Sequence, residues 1–140
     1  MYKRQPLLGA FSLAAFLCSP VAAQSARQLI VKATYSGQGE VDAAKQIFLY
    51  LFDSPEIAQG AMPIAMMTSA KNGADVVFNG LTPPVVYLVA AYGDFDPMGP
   101  PPSGTPVAFY LPGDPTPTGI PIDEEKVTIE FSFDDSIRMP

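Results

Sequence analysis

The sequence predicts an all-β protein: one antiparallel two-sheet β-sandwich of about seven strands, with a proline-rich loop. Three observations carry this. Apolar runs of strand length, rich in β-branched and aromatic residues, recur between turn signals along the 140 residues. Apolar residues at helical spacing are nearly absent. Nine of the sixteen prolines crowd between Asp96 and Pro121, a stretch too poor in backbone donors to be a central strand.

The first segment reads as an address. Lys3 and Arg4 precede the apolar run Leu7–Leu17, and Ser19-Pro20-Val21-Ala22-Ala23 then supplies small residues, with Val21 and Ala23 at −3 and −1 of a cleavage site before Gln24. Residues 1–23 are therefore expected to be a cleavable signal peptide, and residues 24–140 a single domain that is secreted or periplasmic. Leu17 stands before Cys18 where a lipidated cysteine wants a small neighbour. The apolar run is shorter than a bilayer span, and no later stretch reaches ~18 uninterrupted apolar residues, so no membrane insertion is expected after cleavage.

The strands follow in order. Gln28–Thr34 (QLIVKAT) opens the domain. Gln46–Phe52 (QIFLYLF) is apolar on both faces, which fits a central strand covered on both sides or a sheet face covered by an extra loop. Ser54-Pro55-Glu56-Ile57-Ala58-Gln59 is the best helical candidate, with Ser54 as N-cap, Pro55 at N1 and Gly60 as the stop. Ile64–Ser69 (IAMMTS) reads as a short strand. Ala74–Asn79 and Val85–Tyr92 are joined by Gly80-Leu81-Thr82-Pro83-Pro84, whose two prolines fix two φ angles. Pro106–Leu111 is a short strand whose flanking Pro106 and Pro112 suit an edge and guard against edge-to-edge pairing of copies. Lys126–Phe133 alternates, with Val127, Ile129, Phe131 and Phe133 toward the core. The segment between Asp96 and Pro121 is expected to be a long, stiff excursion, with polyproline character at Pro100-Pro101-Pro102.

Composition narrows the chemistry. The net charge is −6, and setting Lys3 and Arg4 aside leaves 6 Lys and Arg against 14 Asp and Glu. Nucleic acid and anionic membrane surfaces need clustered cations, so neither is an expected partner. Cys18 is the only cysteine and there is no histidine, so beyond residue 23 the chain has no disulfide and lacks a cysteine nucleophile, the commonest general base and the commonest zinc ligand. Ser103 sits in Pro102-Ser103-Gly104 with no histidine to activate it.

Three stretches resemble the prealbumin-like sandwiches, the transthyretin-like and carboxypeptidase-regulatory-like domains and small exported bacterial proteins of that kind. They are Gln46–Asp53, then Val77-Phe78-Asn79-Gly80-Leu81-Thr82-Pro83-Pro84, then Val86 to Asp94, together under half of the mature chain. The resemblance implies that a strand ending in Phe, a Gly-Leu-x-Pro turn and a Tyr-rich strand form one hairpin. Pro84 departs from the pattern, which has glycine there. The hydrolases among these relatives depend on histidines, so the resemblance implies a fold and carries no activity to this chain.

Four groups of residues could hold a ligand. Asp94 and Asp96, two residues apart and followed by Gly99, begin like a calcium loop but lack a third nearby acid and a bidentate glutamate; the ordinary reading is a turn capped by an aspartate. Asp123-Glu124-Glu125 and Asp134-Asp135 flank the last strand and should lie at opposite ends of it. Arg138 could pair with Asp134 or Asp135 and dock the tail, or the tail could fray. Phe95, Phe109 and Tyr110 are the aromatics best placed to face a ligand, because prolines surround them; the others fit a core. The expectation is an exported, non-enzymatic binding or accessory module presenting the proline-rich, aromatic-bearing loop to a protein or envelope partner, with no cofactor. The alternatives are a calcium- or carbohydrate-binding domain using Asp94 and Asp96 and a carboxylate-based hydrolase.

Overall fold

A computed structural model describes residues 27–57, 60–111 and 117–140. The expected leader, residues 1–23, lies outside the described residues, as do Ala58, Gln59 and Pro112. Eight strands run in the order β1 (Arg27–Tyr35), β2 (Gln46–Phe52), β3 (Ala65–Ser69), β4 (Asp75–Leu81), β5 (Val85–Gly93), β6 (Val107–Phe109), β7 (Ile120–Pro121) and β8 (Lys126–Phe133). They form two sheets. One is β4-β1-β8; the other is β3-β2-β5-β6, with β7 also on β5.

The alternation of apolar residues explains how the sheets meet. Leu29, Val31 and Ala33 of β1 turn inward toward Ile47, Leu49 and Leu51 of β2, with Val86, Leu88 and Ala90 of β5 and Phe131 and Phe133 of β8 in the same buried cluster. Val127 and Ile129 are half-buried against it. The doubly apolar β2 is central: it lies between β3 and β5, and its alternate residues Phe48, Tyr50 and Phe52 build a second cluster on the outer face of the larger sheet. Ile57 and Ala61, from the β2–β3 connection, pack against that cluster. A sheet face covered by an extra loop was one of the two readings of Gln46–Phe52. The helical candidate forms no α-helix over its described residues 54–57; Ser54 Oγ accepts from the Glu56 amide (3.2 Å) and the Gly60 amide donates to the Ile57 carbonyl (3.2 Å), as in a turn.

Three expectations are corrected. The sandwich is mixed rather than antiparallel: β1 and β8 pair in parallel, from Gln28 opposite Lys126 to Tyr35 opposite Phe133. They are the first and last strands, so no tight turn dictates their direction, as a hairpin would. Second, β4 and β5 do not form a hairpin. They lie in different sheets, and Thr82-Pro83-Pro84 carries the chain across the core. Two consecutive prolines hold the backbone extended, where a two-residue hairpin needs positive φ at the turn; the positive φ here is at Gly80, 67°, still inside β4. Third, part of the proline-rich segment is folded onto the sandwich rather than standing off it. Val107–Phe109 pairs with Val89–Ala91, Ile120 and Pro121 pair with Val86 and Val85, and Thr105, Pro106 and Ile122 are buried. The two-residue β7 contains a proline and is too short to show an alternation; with it the count is eight strands, where about seven were expected.

Candidate functional site

β1 and β5 finish at the same end of the sandwich, in Tyr35 and Tyr92. Their rings stack with centroids 3.9 Å apart and planes 15° apart, and Phe133 of β8 tilts against Tyr35 at 5.2 Å. Both rings are buried and both hydroxyls reach the loop between β1 and β2: Tyr35 donates to the Gln38 carbonyl (2.9 Å) and Tyr92 to the Glu40 carbonyl (2.6 Å). Gly39 passes directly over the Tyr92 hydroxyl with φ of 102°, a backbone a larger residue would strain, and a Cβ there would collide with the phenol. Burial, followed by the nearby Asp135 carboxylate, pushes the Tyr35 phenol up; burial, followed by Asp42 and Glu40, does the same to Tyr92.

The C-terminal tail docks here. The Ser36 amide bonds the Phe133 carbonyl (2.8 Å), and Asp134, held below the usual carboxylate range by the Ser136 side chain and amide, caps the first tail turn. Val107 donates to Ile137 (3.0 Å), Met139 donates to Thr105 (2.9 Å), and Gly104 donates to Met139 (2.9 Å), so the tail adds a short strip beside β6. Arg138 bonds the Gly104 carbonyl (2.9 Å) and the Asp135 carboxylate (3.0 Å). Of the two readings of the tail, docking is the one observed. Backbone bonds do most of the fastening, since an exposed ion pair contributes only about 0–1 kcal/mol.

Between tail, proline-rich segment and tyrosine pair lies an open cavity of about 460 Å³, lined by Tyr92, Lys45, Ser103, Thr105 and Arg138 among others. Two of the six cations beyond residue 23 stand on its wall. The lining includes no acid, and Asp135, which pairs with Arg138, lies outside it. Sequence reading missed it, because Lys45, Ser103 and Arg138 come from three separate loops. The available signal was the placement of Tyr35 and Tyr92 at the ends of two strands that finish together.

The residues singled out from the sequence are not brought together. Asp94 and Asp96 are both exposed. Asp96 accepts from the Met98 amide (2.9 Å) through Oδ1, and its carbonyl accepts from Gly99 (3.1 Å), which is the aspartate-capped turn. No group of three or more Asp and Glu side chains able to hold a metal ion occurs among the described residues. Asp123-Glu124-Glu125 and Asp134-Asp135 stand at opposite ends of β8, roughly 26 Å apart for eight residues. Phe95 folds back onto the outer face and stacks on Phe48 (centroids 4.3 Å, 21°). Phe109 is 37% exposed and lies opposite Val89, on the same outer face. Tyr110 turns the other way and packs edge-on against Phe131 (5.4 Å, 69°). Of the three, Phe109 is the most exposed.

No protein-family model, no curated protein and no solved structure matches the chain.

Proposed function

We propose that the protein is an exported, non-enzymatic binding module of prealbumin-like sandwich type, whose recognition element is the proline-rich segment between Asp96 and Pro106, offered to a protein or envelope component. The observation that carries this is the contrast within that segment. Its base is fastened to the tail through Gly104, Thr105 and Arg138, while Met98 at its far part is 86% exposed, the most exposed large apolar side chain among the described residues. An apolar tip on a proline-stiffened arm loses little chain entropy when it docks, which favours recognition by a partner. The expected leader supports an exported compartment, and the lack of histidine and of a cysteine beyond residue 23 supports a role without catalysis.

Replacing Met98–Pro102 with a Gly-Ser stretch tests this. These five residues precede every tail contact, so the variant is expected to keep the wild-type melting temperature and to lose its partner in affinity capture from envelope extract. Unchanged capture by the folded variant refutes the role of the segment.

A further inference from the structure

The chain has two asparagines, and a glycine follows each: Asn72-Gly73 and Asn79-Gly80. The pairing is chemically fragile, because asparagine is thermolabile and glycine has no side chain to keep its backbone nitrogen away from the asparagine amide carbon. The fold treats the two pairs differently. Asn72 lies between β3 and β4, and its side-chain amide is held at both ends: Oδ1 accepts from the Tyr35 amide (2.8 Å) and Nδ2 donates to the Tyr35 carbonyl (2.9 Å). Gly73 is half-buried and donates its amide to the Ala33 carbonyl (2.8 Å). The group that would be attacked and the nitrogen that would attack it are both tied to β1.

Asn79-Gly80 lies in β4, an edge strand of the smaller sheet, where the register with β1 slips. Phe78 faces Leu29 and Leu81 faces Arg27, so Asn79 and Gly80 together stand against Gln28 alone, as in a β-bulge. Both are exposed, Gly80 takes a φ of 67°, and the space beside its Cα is open. No described residue bonds Asn79 Nδ2, whereas Gln28 Nε2 donates to Asn79 Oδ1 (2.6 Å), the oxygen on which negative charge collects when a nucleophile adds to the amide.

We propose that Asn79 is a site of spontaneous deamidation, at which the Gly80 backbone nitrogen closes on the Asn79 side chain, and that its bonds to Tyr35 protect Asn72 from the same reaction. The Gly80 amide gives its proton to water, and its nitrogen forms a bond to Asn79 Cγ. The Cγ–Nδ2 bond breaks and ammonia leaves, which gives a cyclic imide. Water then adds to one of the two imide carbonyls, and the ring opens to aspartate or isoaspartate at position 79. Water is the only co-reactant and nothing is oxidised or reduced. The product places a further carboxylate on the β4 edge of a chain already at net charge −6, and isoaspartate also lengthens the backbone where β4 is already out of step with β1. The change is one-way and independent of the proline-rich segment.

The test ages the purified chain at mildly alkaline pH, once folded and once in guanidinium chloride. Chymotrypsin, cutting after Phe78, then puts the two asparagines on separate peptides, and mass spectrometry follows the conversion of each. In the folded chain position 79 is expected to convert at least about tenfold faster than position 72, because three hydrogen bonds must open before the ring can close at 72. In guanidinium chloride the two are expected to convert at similar rates, since the dipeptide is the same. Equal rates in the folded chain, faster conversion at 72, or an intact position 79 under conditions that convert the unfolded chain overturns the proposal. So does a preference for 79 that persists undiminished in guanidinium chloride, since it would then belong to the neighbouring residues and not to the fold.

Discussion

Tyr50 is the sharpest place to test the energetics of the fold. It sits in the outer cluster among Phe48, Phe52 and Ala91, 9% exposed, and its hydroxyl is buried with no hydrogen-bond partner among the described residues. The phenol is pushed up by burial alone, as expected for a group surrounded by hydrocarbon. A hydroxyl taken from water without a compensating bond costs about 1–3 kcal/mol on mutational scales. Tyr50→Phe removes that oxygen, keeps the ring and opens no cavity larger than one atom. The variant should therefore be more stable by about 1 kcal/mol, which for a domain of this size raises the melting temperature by about 4 °C. Urea unfolding of both proteins, followed by near-ultraviolet circular dichroism, reads this as a higher midpoint at unchanged slope. If Tyr50→Phe is instead less stable by about 0.5 kcal/mol or more, the hydroxyl has a partner worth keeping and the reasoning is wrong.

Three further outcomes are expected. Leu49→Ala, at a fully buried position of the central strand, should lower stability by about 2–5 kcal/mol in the same urea experiment, and a loss under about 1 kcal/mol would mean the inter-sheet core is loosely packed there. Tyr35, Tyr50 and Tyr92 have phenols raised above 10.0 in the folded state, so the native form keeps protons that the unfolded form releases; that contribution is complete below pH 10 and is lost as the pH climbs beyond it. Absorbance at the tyrosinate band should show these three rings ionising together with loss of structure, and reversible ionisation of every ring near pH 10 in folded protein would contradict it. Arg138→Ala should change global stability by no more than about 1 kcal/mol while speeding amide exchange at Gly104 and Met139, since the pair is exposed but the guanidinium holds the strip; unaltered exchange would leave the backbone bonds as the whole fastening.

How legible each part was depends on how local its cause is. β2 and β8 fall on Gln46–Phe52 and Lys126–Phe133 as read, because their alternation and bounding turn residues are local. What escaped is set by residues far apart in the chain. The parallel pairing of β1 with β8 joins positions about a hundred residues apart, and no periodicity records a strand's direction. The arch through Thr82-Pro83-Pro84 reads locally as a turn whether it returns to the same sheet or crosses to the other, and only the partners of β4 and β5 decide which. Among the candidate residues, the turn at Asp96 was legible because its cause lies within three residues. Phe95 was not, since the ring it stacks on, Phe48, belongs to a strand nearly fifty positions earlier.

The unequal sheets connect these features. A five-stranded sheet facing a three-stranded one buries its inner face only where the smaller sheet reaches, so the surplus apolar surface must be met in other ways. On the outer face the chain uses its own segments: Ile57, Ala61 and Phe95 lie over Phe48, Tyr50 and Phe52. At the β6 side it uses the tail, which supplies backbone groups to an edge that would otherwise stay open. At the β3 side nothing among the described residues does this, and that is where Met62, Ile64 and Met67 stay exposed. The same imbalance that makes the larger sheet cover itself on one face and one edge thus leaves Met62, Ile64 and Met67 exposed at the opposite edge.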